Sequence, residues 1–264
     1  MNLLYSVLHV MPPALRLLLR RMLSRCLRLA LRLRSQPYPV DQDTVALVIA
    51  PHPDDETLGC GGLLFRKRAE GVAVCVAYVT DGSASHPGHP TLTPGALAAL
   101  RQTEARHAMD RIGVESTGLR FLGARDGTLA HLDRPSADEL VLRIAALLRQ
   151  VQPDEIFLPC RHDGSSEHDA TFGFVRRALE QAGLRPRILE FPVWSWWNPR
   201  LLLRPLITSR RVWRMDFRGY GTLKRRALDA YASQIAAIPP STQPLLTPDF
   251  ISFFSSSEEF FFEM

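Results

Sequence analysis

Apolar residues form short runs that alternate with amphipathic stretches between residues 44 and 193. The runs rich in β-branched residues predict strands over 44–50, 72–80, 119–122, 155–159 and 187–193. Apolar residues at helical spacing predict helices over 57–70, 94–112, 136–151 and 167–182, with Ser136 as the N-cap of the third. This βαβα order predicts an α/β fold: a Rossmann-like, mostly parallel sheet with helices on both faces, a three-layer sandwich.

The N-terminal segment has a different pattern. Between Pro12 and Arg34 leucines alternate with arginines, and no acidic residue occurs. At 100° per residue one side of a helix is apolar (Leu15, Leu18, Leu19, Met22, Leu23, Cys26, Leu29, Ala30, Leu33) and the other is basic (Arg16, Arg20, Arg21, Arg25, Arg28, Arg32). Two interpretations are equally favoured: contact of residues 12–34 with an anionic membrane surface, or packing of the leucine side on the domain or on a second subunit.

The two ends of the chain define its organisation. Residues 35–43 carry two prolines and predict a linker. We therefore divide the chain into a basic amphipathic helix and linker, 1–40, and one domain, 41–264. The tail over 250–264 predicts an edge strand or a packed hydrophobic tail.

The net charge and the cysteines bear on the kind of partner and on the cellular compartment. The net charge is +5, but seven arginines lie between Arg16 and Arg34, so much of the excess belongs to the N-terminus. No aromatic–basic motif indicates a nucleic-acid partner. The four cysteines are scattered without a C-x-x-C pair, which favours a reducing, cytoplasmic location. The N-terminal helix adds the option of a peripheral position at the inner membrane surface.

Polar residues cluster where the predicted strands end. Residues 51–56 read Pro-His-Pro-Asp-Asp-Glu directly after the first strand, and Asp81, Asp126 and residues 161–169 follow later strands. The carboxyl ends of parallel strands meet at one edge of the sheet, where ligands bind. We therefore expect these loops to converge.

These loops contain the donors of a metal site. His52 and Asp55 lie three residues apart, and His168 supplies a second imidazole from another loop. Two imidazoles and one carboxylate match a catalytic zinc site with a position open for water, although another divalent metal remains an option. Asp54 is then the candidate general base. In the alternative interpretation, residues 54–56 have a structural role, and their carboxylates stabilise the N-terminus of a helix.

The same residues carry a family resemblance. Residues 50–56 resemble the signature of the PIG-L/LmbE-type deacetylases, which are metal-dependent hydrolases of N-acetylglucosamine-type sugars. Thr80-Asp81-Gly82, Arg101-x-x-Glu104, Asp126-Gly127 and residues 224–234, expected to form a C-terminal helix, are similar to further family motifs. The resemblance extends over about residues 44–240.

The resemblance implies a role for each matching residue. It implies His52, Asp55 and His168 as Zn2+ ligands, Asp54 as the base, and Arg101 and Asp126 as groups that hold sugar hydroxyls or a phosphate. One position departs from the family pattern: Ser165 stands where a histidine is common, and Glu167 stands in place of an aspartate. His162 is the candidate to replace that histidine as acid or oxyanion donor.

The expected activity is zinc-dependent removal of an N-acetyl group from an N-acetylglucosamine-type sugar in glycoconjugate, polysaccharide or glycolipid biosynthesis. Three tryptophans within 194–197 are candidates for stacking on sugar rings or for closing the core, and a basic region over 200–218 suggests a phosphate-bearing or lipid-linked substrate. Two rival functions remain: an amidase acting on a small thiol-linked or antibiotic glycoside, and a non-catalytic nucleotide- or polyanion-binding module. No G-x-G-x-x-G follows the first strand, which argues against dinucleotide binding.

Overall fold

In the computed structural model, which describes residues 12–263, eight strands form one sheet in the order β1-β7-β8-β6-β5-β2-β3-β4. Every strand is parallel to the others except β8, which is antiparallel to both neighbours. The strands are β1 (Gln36–Pro37), β2 (Val45–Ala50), β3 (Ala73–Thr80), β4 (Leu119–Ala124), β5 (Glu155–Pro159), β6 (Arg187–Phe191), β7 (Arg211–Asp216) and β8 (Glu258–Glu263).

Ten α-helices are present within residues 12–263, and short 3-10 turns occur between some of these elements. The helices are α1 (Pro13–Arg34), α2 (Asp55–Ala69), α3 (Pro94–Ile112), α4 (Arg134–Val151), α5 (Ser166–Ala182), α6 (Trp194–Trp197), α7 (Leu203–Thr208), α8 (Gly221–Leu228), α9 (Ala232–Ile235) and α10 (Pro248–Ile251). The 3-10 turns are Ser116–Gly118, Leu129–His131, Pro199–Leu202 and Ser252–Phe254.

The sheet separates two hydrophobic cores. Along β2, Leu47 and Ile49 point into the core shared with α4 and α5, whereas Ala46 and Val48 point into the core shared with α2 and α3. A strand that is buried on both sides reads as a continuous apolar run because its residues alternate between two apolar layers. The predicted fold class, a mostly parallel sheet between helical layers, is confirmed.

Three loops at the carboxyl edge of the sheet are tied to one another. The carbonyl oxygen of Pro51, after β2, accepts hydrogen bonds from the backbone N and Oγ1 of Thr80, both at 2.9 Å. The Asp81 carboxylate, after β3, accepts from the backbone N of Asp126 at 3.2 Å. The loops after β2, β3 and β4 therefore hold fixed relative positions.

Some element boundaries differ from the prediction. Residues Gln36–Pro37 of the expected linker form β1, which pairs with β7, a strand that the pattern did not predict. Helix α4 begins at Arg134 because Asp133, rather than Ser136, caps it: the Asp133 carboxylate accepts from Ser136 N at 3.0 Å. Residues 224–234 contain parts of two helices, α8 and α9, instead of one.

The C-terminal tail was expected to form an edge strand or a packed hydrophobic tail. The edge-strand alternative is wrong, since β8 lies inside the sheet between β6 and β7. Its residues Phe260, Phe261 and Phe262 are all buried. They fill the core on the α2 side, so the last strand is part of the central architecture.

Helix α1 packs on the domain through an unexpected face. The buried residues of the helix are Ser24, Leu27 and Leu31, and Arg28 stacks on the Trp196 ring with its guanidinium carbon 3.9 Å from the ring centre. The opposite side is exposed and is here called the leucine face: Leu15, Leu18, Leu19, Met22, Leu23, Leu29 and Leu33. The expectation that this face packs on the domain is wrong. Residues 1–11 of the predicted 1–40 segment lie outside the described residues.

We found no helix among residues 12–263 with the length and apolar character needed to cross a bilayer.

Candidate active site

His52 is the centre of the polar cluster at the carboxyl edge of the sheet. Its Nδ1 lies 3.0 Å from Asp55 Oδ2, and its Nε2 lies 2.6 Å from Glu167 Oε2 and 3.2 Å from Asp126 Oδ1. The loop after β2 holds the ring in place, because the backbone N of His52 also donates to Asp55 Oδ2 at 3.1 Å. One imidazole therefore contacts carboxylates from three separate loops.

His168, in the first turn of α5, reaches the same carboxylate from the other side. Its Nε2 lies 3.4 Å from Asp55 Oδ2, and its Nδ1 lies 3.1 Å from Asp163 Oδ2. The ring is fully buried, and within residues 12–263 its Nε2 has no hydrogen-bond partner. A buried imidazole nitrogen without a partner is costly unless a ligand completes it.

Asp163 fixes the orientation of His168. Its carboxylate accepts hydrogen bonds from the backbone N of Val193 at 3.1 Å, of Trp194 at 2.8 Å and of Ser195 at 2.8 Å, and it also accepts from the Ser195 hydroxyl. The remaining contact, to Nδ1 of His168, favours the tautomer whose Nε2 is free to bind a metal. The sequence analysis did not single out Asp163. Its position five residues before a predicted histidine ligand was the only available signal.

Two groups of side chains in the described part of the chain have donor atoms close enough to hold one metal ion. The first is His52, Asp55 and His168; the second is His52, Asp126 and Glu167, and the donor atoms of each lie within 4.8 Å of one another. The first group matches the predicted ligand set. It also contains two imidazoles, including His168 Nε2, which has no hydrogen-bond partner in the described residues, whereas the second group contains one imidazole and two carboxylates. The residues of the first group therefore fit a metal better.

Asp54 lies beside this group in a strained backbone conformation. Its φ is 136°, a value that residues other than glycine rarely adopt and that persists only where the surroundings impose it. Its carboxylate lies 3.1 Å from Nη2 of Arg101, which also donates to the carbonyl oxygen of Pro53. Arg101 is buried, so its charge is directed at the Asp54 loop.

The two adjacent aspartates have opposite pKa shifts. Burial raises the pKa of Asp54 to about 7, since the opposing effect of Arg101 is smaller and the charge of Asp55 adds to the increase. Burial also acts on Asp55, but the charges of the His168 and His52 imidazoles and the hydrogen bond of His52 outweigh it and lower its pKa. Asp55 is thus ionised, and Asp54 is a carboxyl group that can exchange a proton near neutral pH.

The histidines show the effect of the surrounding carboxylates. Burial lowers the pKa of His168, but Asp55 and Asp163 outweigh it and raise the value to about 9. Burial likewise opposes protonation of His52, while hydrogen bonds to Asp126, Asp55 and Glu167 hold its pKa well above the ordinary value. This excess of negative charge around two imidazoles is the environment that a cation stabilises.

Glu56 holds the loop after β2 in place through hydrogen bonds on the side away from the histidines. Its carboxylate accepts from the hydroxyls of Thr57 and Tyr231, both at 2.5 Å, and from the backbone N of Asp54 at 3.0 Å. Tyr231 is fully buried and comes from the residues just before α9. The C-terminal part of the chain therefore supports the strained residue through Glu56.

The structure brings most, but not all, of the predicted site residues together. His52, Asp54, Asp55, His168, Arg101 and Asp126 form one connected cluster. His162 is exposed, with φ 60°, and its described partner is Asp169 on the outer side of α5. Ser165 is the N-cap of α5, accepting from His168 N at 3.5 Å.

Two other features concern the tryptophan segment and the loop after β3. Trp196 is buried and Trp197 is covered by Arg20 at 4.4 Å, which matches the core-closing alternative for the aromatic stretch. His86, in the loop after β3, was not singled out. Burial and then the neighbouring charges of Arg101 and His89 lower its pKa, so an uncharged imidazole lies on the Arg101 side of the cluster.

Taken together, the fold and the cluster define an α/β protein with a candidate single-metal centre at the carboxyl edge of its parallel sheet. Residues 47–179, half of the chain, match the PIG-L family, which is described as GlcNAc-PI de-N-acetylase. The chain therefore belongs to the PIG-L family, and the resemblance noted from its motifs is confirmed.

Relatives with known names agree with this assignment. The chain is 36% identical over 138 residues to the probable N-acetyl-alpha-D-glucosaminyl L-malate deacetylase 2 of Bacillus subtilis (strain 168), covering 50% of this chain and 59% of that protein. It is 30% identical over 167 residues to the 1D-myo-inositol 2-acetamido-2-deoxy-alpha-D-glucopyranoside deacetylase of Kineococcus radiotolerans, covering 53% of this chain and 46% of that protein. The chain thus spans about half to 60% of the length of these relatives.

A solved structure shares the architecture. The conserved protein TT1542 from Thermus thermophilus superposes with a TM-score of 0.55 at 27% identity, over 72% of this chain and 80% of that one. The match supports the arrangement of sheet and helices described above.

Proposed function

We propose that this chain is a zinc-dependent hydrolase that removes the acetyl group from an N-acetylglucosamine-type sugar. The observation that carries the proposal is the buried, unpartnered Nε2 of His168, which faces Asp55 and His52 next to a carboxyl group with a pKa near 7. The names of the two relatives, both sugar N-deacetylases, support the reaction and the class of substrate.

The proposed metal ligands are His52, Asp55 and His168. Two imidazoles and one carboxylate suit Zn2+ and leave a coordination position for water or substrate. A bound metal would supply a more acidic water molecule and polarise the acetamide carbonyl group. Asp163 is proposed to position His168 and not to act on the substrate, because its contacts are to His168 and to the 193–195 segment.

Asp54 is proposed as the general base. Its carboxylate accepts the proton of the attacking water, and Arg101 holds that carboxylate in place at 3.1 Å. The positive charge of a bound cation favours the ionised form of Asp54, which is the form that a base requires. Once protonated, the same carboxyl group can return the proton to the departing amine, so the C–N bond breaks to give acetate and an amino sugar.

Asp126 is proposed to bind a sugar hydroxyl. Its Oδ1 lies 3.2 Å from His52, so a group bound to the open edge of this carboxylate would lie beside the metal ligands. Arg101 is buried against Asp54, and we therefore assign it to positioning the base rather than to direct contact with sugar. An N-acetylated acceptor carried on a phosphate or a lipid, in glycoconjugate biosynthesis, is the specific substrate class that we propose.

The test measures metal content and acetate release separately. Zinc-loaded protein is incubated with N-acetylglucosaminyl-malate, N-acetylglucosaminyl-inositol, nucleotide-linked and lipid-linked N-acetylglucosamine, and acetate is quantified. We expect release from at least one substrate. Asp54→Ala should keep the metal and lose roughly 100- to 10,000-fold in turnover, the usual contribution of a general base.

The matched control for this variant is Asp110→Ala, which removes an exposed carboxylate on α3. It should change neither metal content nor turnover. Full activity of Asp54→Ala would contradict its role as the base, and no acetate from any substrate with the metal bound would contradict the proposed reaction.

A further inference from the structure

The leucine face of α1 is the largest concentration of exposed apolar side chains in the described residues. Seven of the eleven exposed large hydrophobic residues lie on it, with exposed fractions between 37% for Leu23 and 81% for Leu33. Two more exposed apolar side chains, Leu203 and Ile207 of α7 at 45% and 72%, follow the 3-10 turn that packs on α1. An exposed apolar strip like the leucine face marks an interaction site.

Helix α1 is bound to the domain by side-chain contacts, and these contacts keep the leucine face exposed. Ser24 Oγ donates to the carbonyl oxygen of Trp196 at 3.3 Å, Arg21 pairs with Asp249 at 3.0 Å, and Arg34 donates to the carbonyl oxygen of Ser209 at 2.7 Å. The Ser24 contact lies opposite the leucine face, and Arg21 and Arg34 reach the domain from its two borders. The domain therefore presents the leucine face outward.

Arginines border the leucine face on both sides. At 100° per residue, Arg21, Arg25 and Arg32 lie along one border, and Arg16 and Arg34 lie along the other. The side chains of Arg21 and Arg32 remain 44% and 55% exposed although each forms an ion pair. Residues 12–34 contain no acidic side chain.

We propose that α1 docks in the plane of an anionic lipid bilayer, with the leucine face in the acyl-chain boundary and the bordering arginines on lipid phosphates. An apolar strip between two rows of cations is complementary to such a surface. A second copy of the chain fits less well, since a two-fold contact through this face would bring the arginine rows of both copies together without acidic partners on α1.

The docked orientation bears on the proposed function. Trp196 and Trp197, which α1 covers, belong to the segment whose backbone amides bind Asp163, and Asp163 contacts His168. Docking through α1 would place the segment that holds Asp163 on the membrane side of the domain, and a lipid-linked sugar is the form of the proposed substrate that suits this orientation. This consequence rests on the proposed function, whereas the docking itself does not.

The test is co-sedimentation of the full chain with phosphatidylcholine vesicles that contain or lack phosphatidylglycerol, without any sugar present. We expect binding to the anionic vesicles only. Raising NaCl from about 0.1 M to 1 M should weaken it, because the Debye length falls from about 10 Å to about 3 Å. The double variant Leu29→Gln/Leu33→Gln should bind at least about tenfold more weakly, since one buried leucine contributes about that factor.

The matched control is Leu142→Gln/Leu245→Gln, which replaces two leucines that are 57% and 48% exposed elsewhere on the surface. It should bind like the unchanged protein, and thermal unfolding should show both double variants folded. Equal loss in the two double variants, or no vesicle binding by the unchanged protein, would overturn the proposal. So would a dimer in light scattering that only Leu29→Gln/Leu33→Gln disrupts, because it would identify a second copy as the occupant. Failure of deacetylation would leave the vesicle result standing.

Discussion

Three consecutive acidic residues of the loop after β2 have three different environments. Asp55 lies between two imidazoles and stays ionised, Asp54 lies in a strained conformation with its pKa raised to about 7, and Glu56 turns away to Tyr231 and Thr57. These environments differ because the backbone turns tightly at Asp54, so each of the three side chains points to a different part of the protein. The strained conformation of Asp54 therefore directs its carboxylate away from that of Asp55, so the proposed base and the proposed metal ligand can be adjacent residues.

At the level of single residues, we predict that Asp163→Asn weakens metal binding by about 10- to 100-fold, the usual effect of losing a carboxylate behind a ligating histidine. An amide presents an N–H₂ group to one of the backbone amides of 193–195 or to Nδ1 of His168, and either mismatch leaves the imidazole free to turn. The measurement is the zinc dissociation constant, obtained by competition with a chelator.

Ser195→Ala is the control, because it removes the hydroxyl contact to Asp163 and leaves the carboxylate and the backbone amides in place. Its zinc affinity should change little. Unchanged zinc affinity in Asp163→Asn would show that His168 does not depend on Asp163 for its orientation.

The proposed metal ligands could be predicted from the sequence, whereas the residues that support them could not. His52, Asp55 and His168 stand out because imidazoles and carboxylates follow predicted strands. Asp163 and Glu56 accept hydrogen bonds from residues 30 to 175 positions away, and these distant contacts leave no signal in the local sequence. His162 was predicted as an acid or oxyanion donor, but its backbone, at φ 60°, directs the side chain to Asp169 and not to the cluster.

Among the elements, α2 shows how tightly the site-bearing helix packs on the sheet. Gly59 lies against Phe191 of β6, and a Cβ atom built on it would be 2.0 Å from Cδ2 of that ring. Both Phe191 and Gly59 are buried, so the ring has little room to yield. Glycine here allows the helix that carries Asp55 to approach the strand closely.

We predict that Gly59→Ala destabilises the protein by about 1–3 kcal/mol, the usual cost of overpacking a core. Gly173→Ala is the control: it lies inside α5 with nothing within 4 Å of the added Cβ, and it should stabilise by up to about 1 kcal/mol, the difference in helix propensity. Urea unfolding of both variants measures the two changes. A destabilised Gly173→Ala together with a neutral Gly59→Ala would contradict this account of the close contact.

Elements with a strong local pattern were predicted well, and those that depend on distant pairing were not. The range 94–112 is a helix as predicted because its N-cap, Thr93, and its final Gly113 both act locally. For the tail, the choice between an edge strand and a packed hydrophobic tail stays open in the sequence, because a short aromatic run carries no information about its neighbours. For α1, the alternative in which the leucine side packs on the domain is wrong because arginines of this helix stack on Trp196 and Trp197 instead.

Across the whole molecule, a buried ion pair connects the C-terminal strand to the site-bearing helix. The carboxylate of Glu259 in β8 accepts from the backbone N of Gly62 at 2.7 Å and of Leu63 at 2.8 Å, and it pairs with Lys224 of α8 at 2.8 Å. Lys224 also donates to the carbonyl oxygen of Leu58 at 2.8 Å. Three segments far apart in the sequence therefore meet at the middle of α2, about two turns beyond Asp55.

This connection leads to a prediction about global stability. Glu259→Ala should destabilise the protein by about 3–5 kcal/mol, because it leaves the Lys224 ammonium buried without a counter-charge. Replacing both partners, as in Lys224→Met/Glu259→Met, should recover most of this loss, since no unpaired charge remains and the helix amides can return to their own carbonyls.

The exposed pair Arg225–Asp229 at the end of the same helix provides the control, and Asp229→Ala should cost less than about 1 kcal/mol. The measurement is the free energy of unfolding in urea for all three variants. If the double variant were as unstable as Glu259→Ala, the loss would come from the unsupported α2 amides, and the ion pair would not be the group that joins the C-terminus to the site.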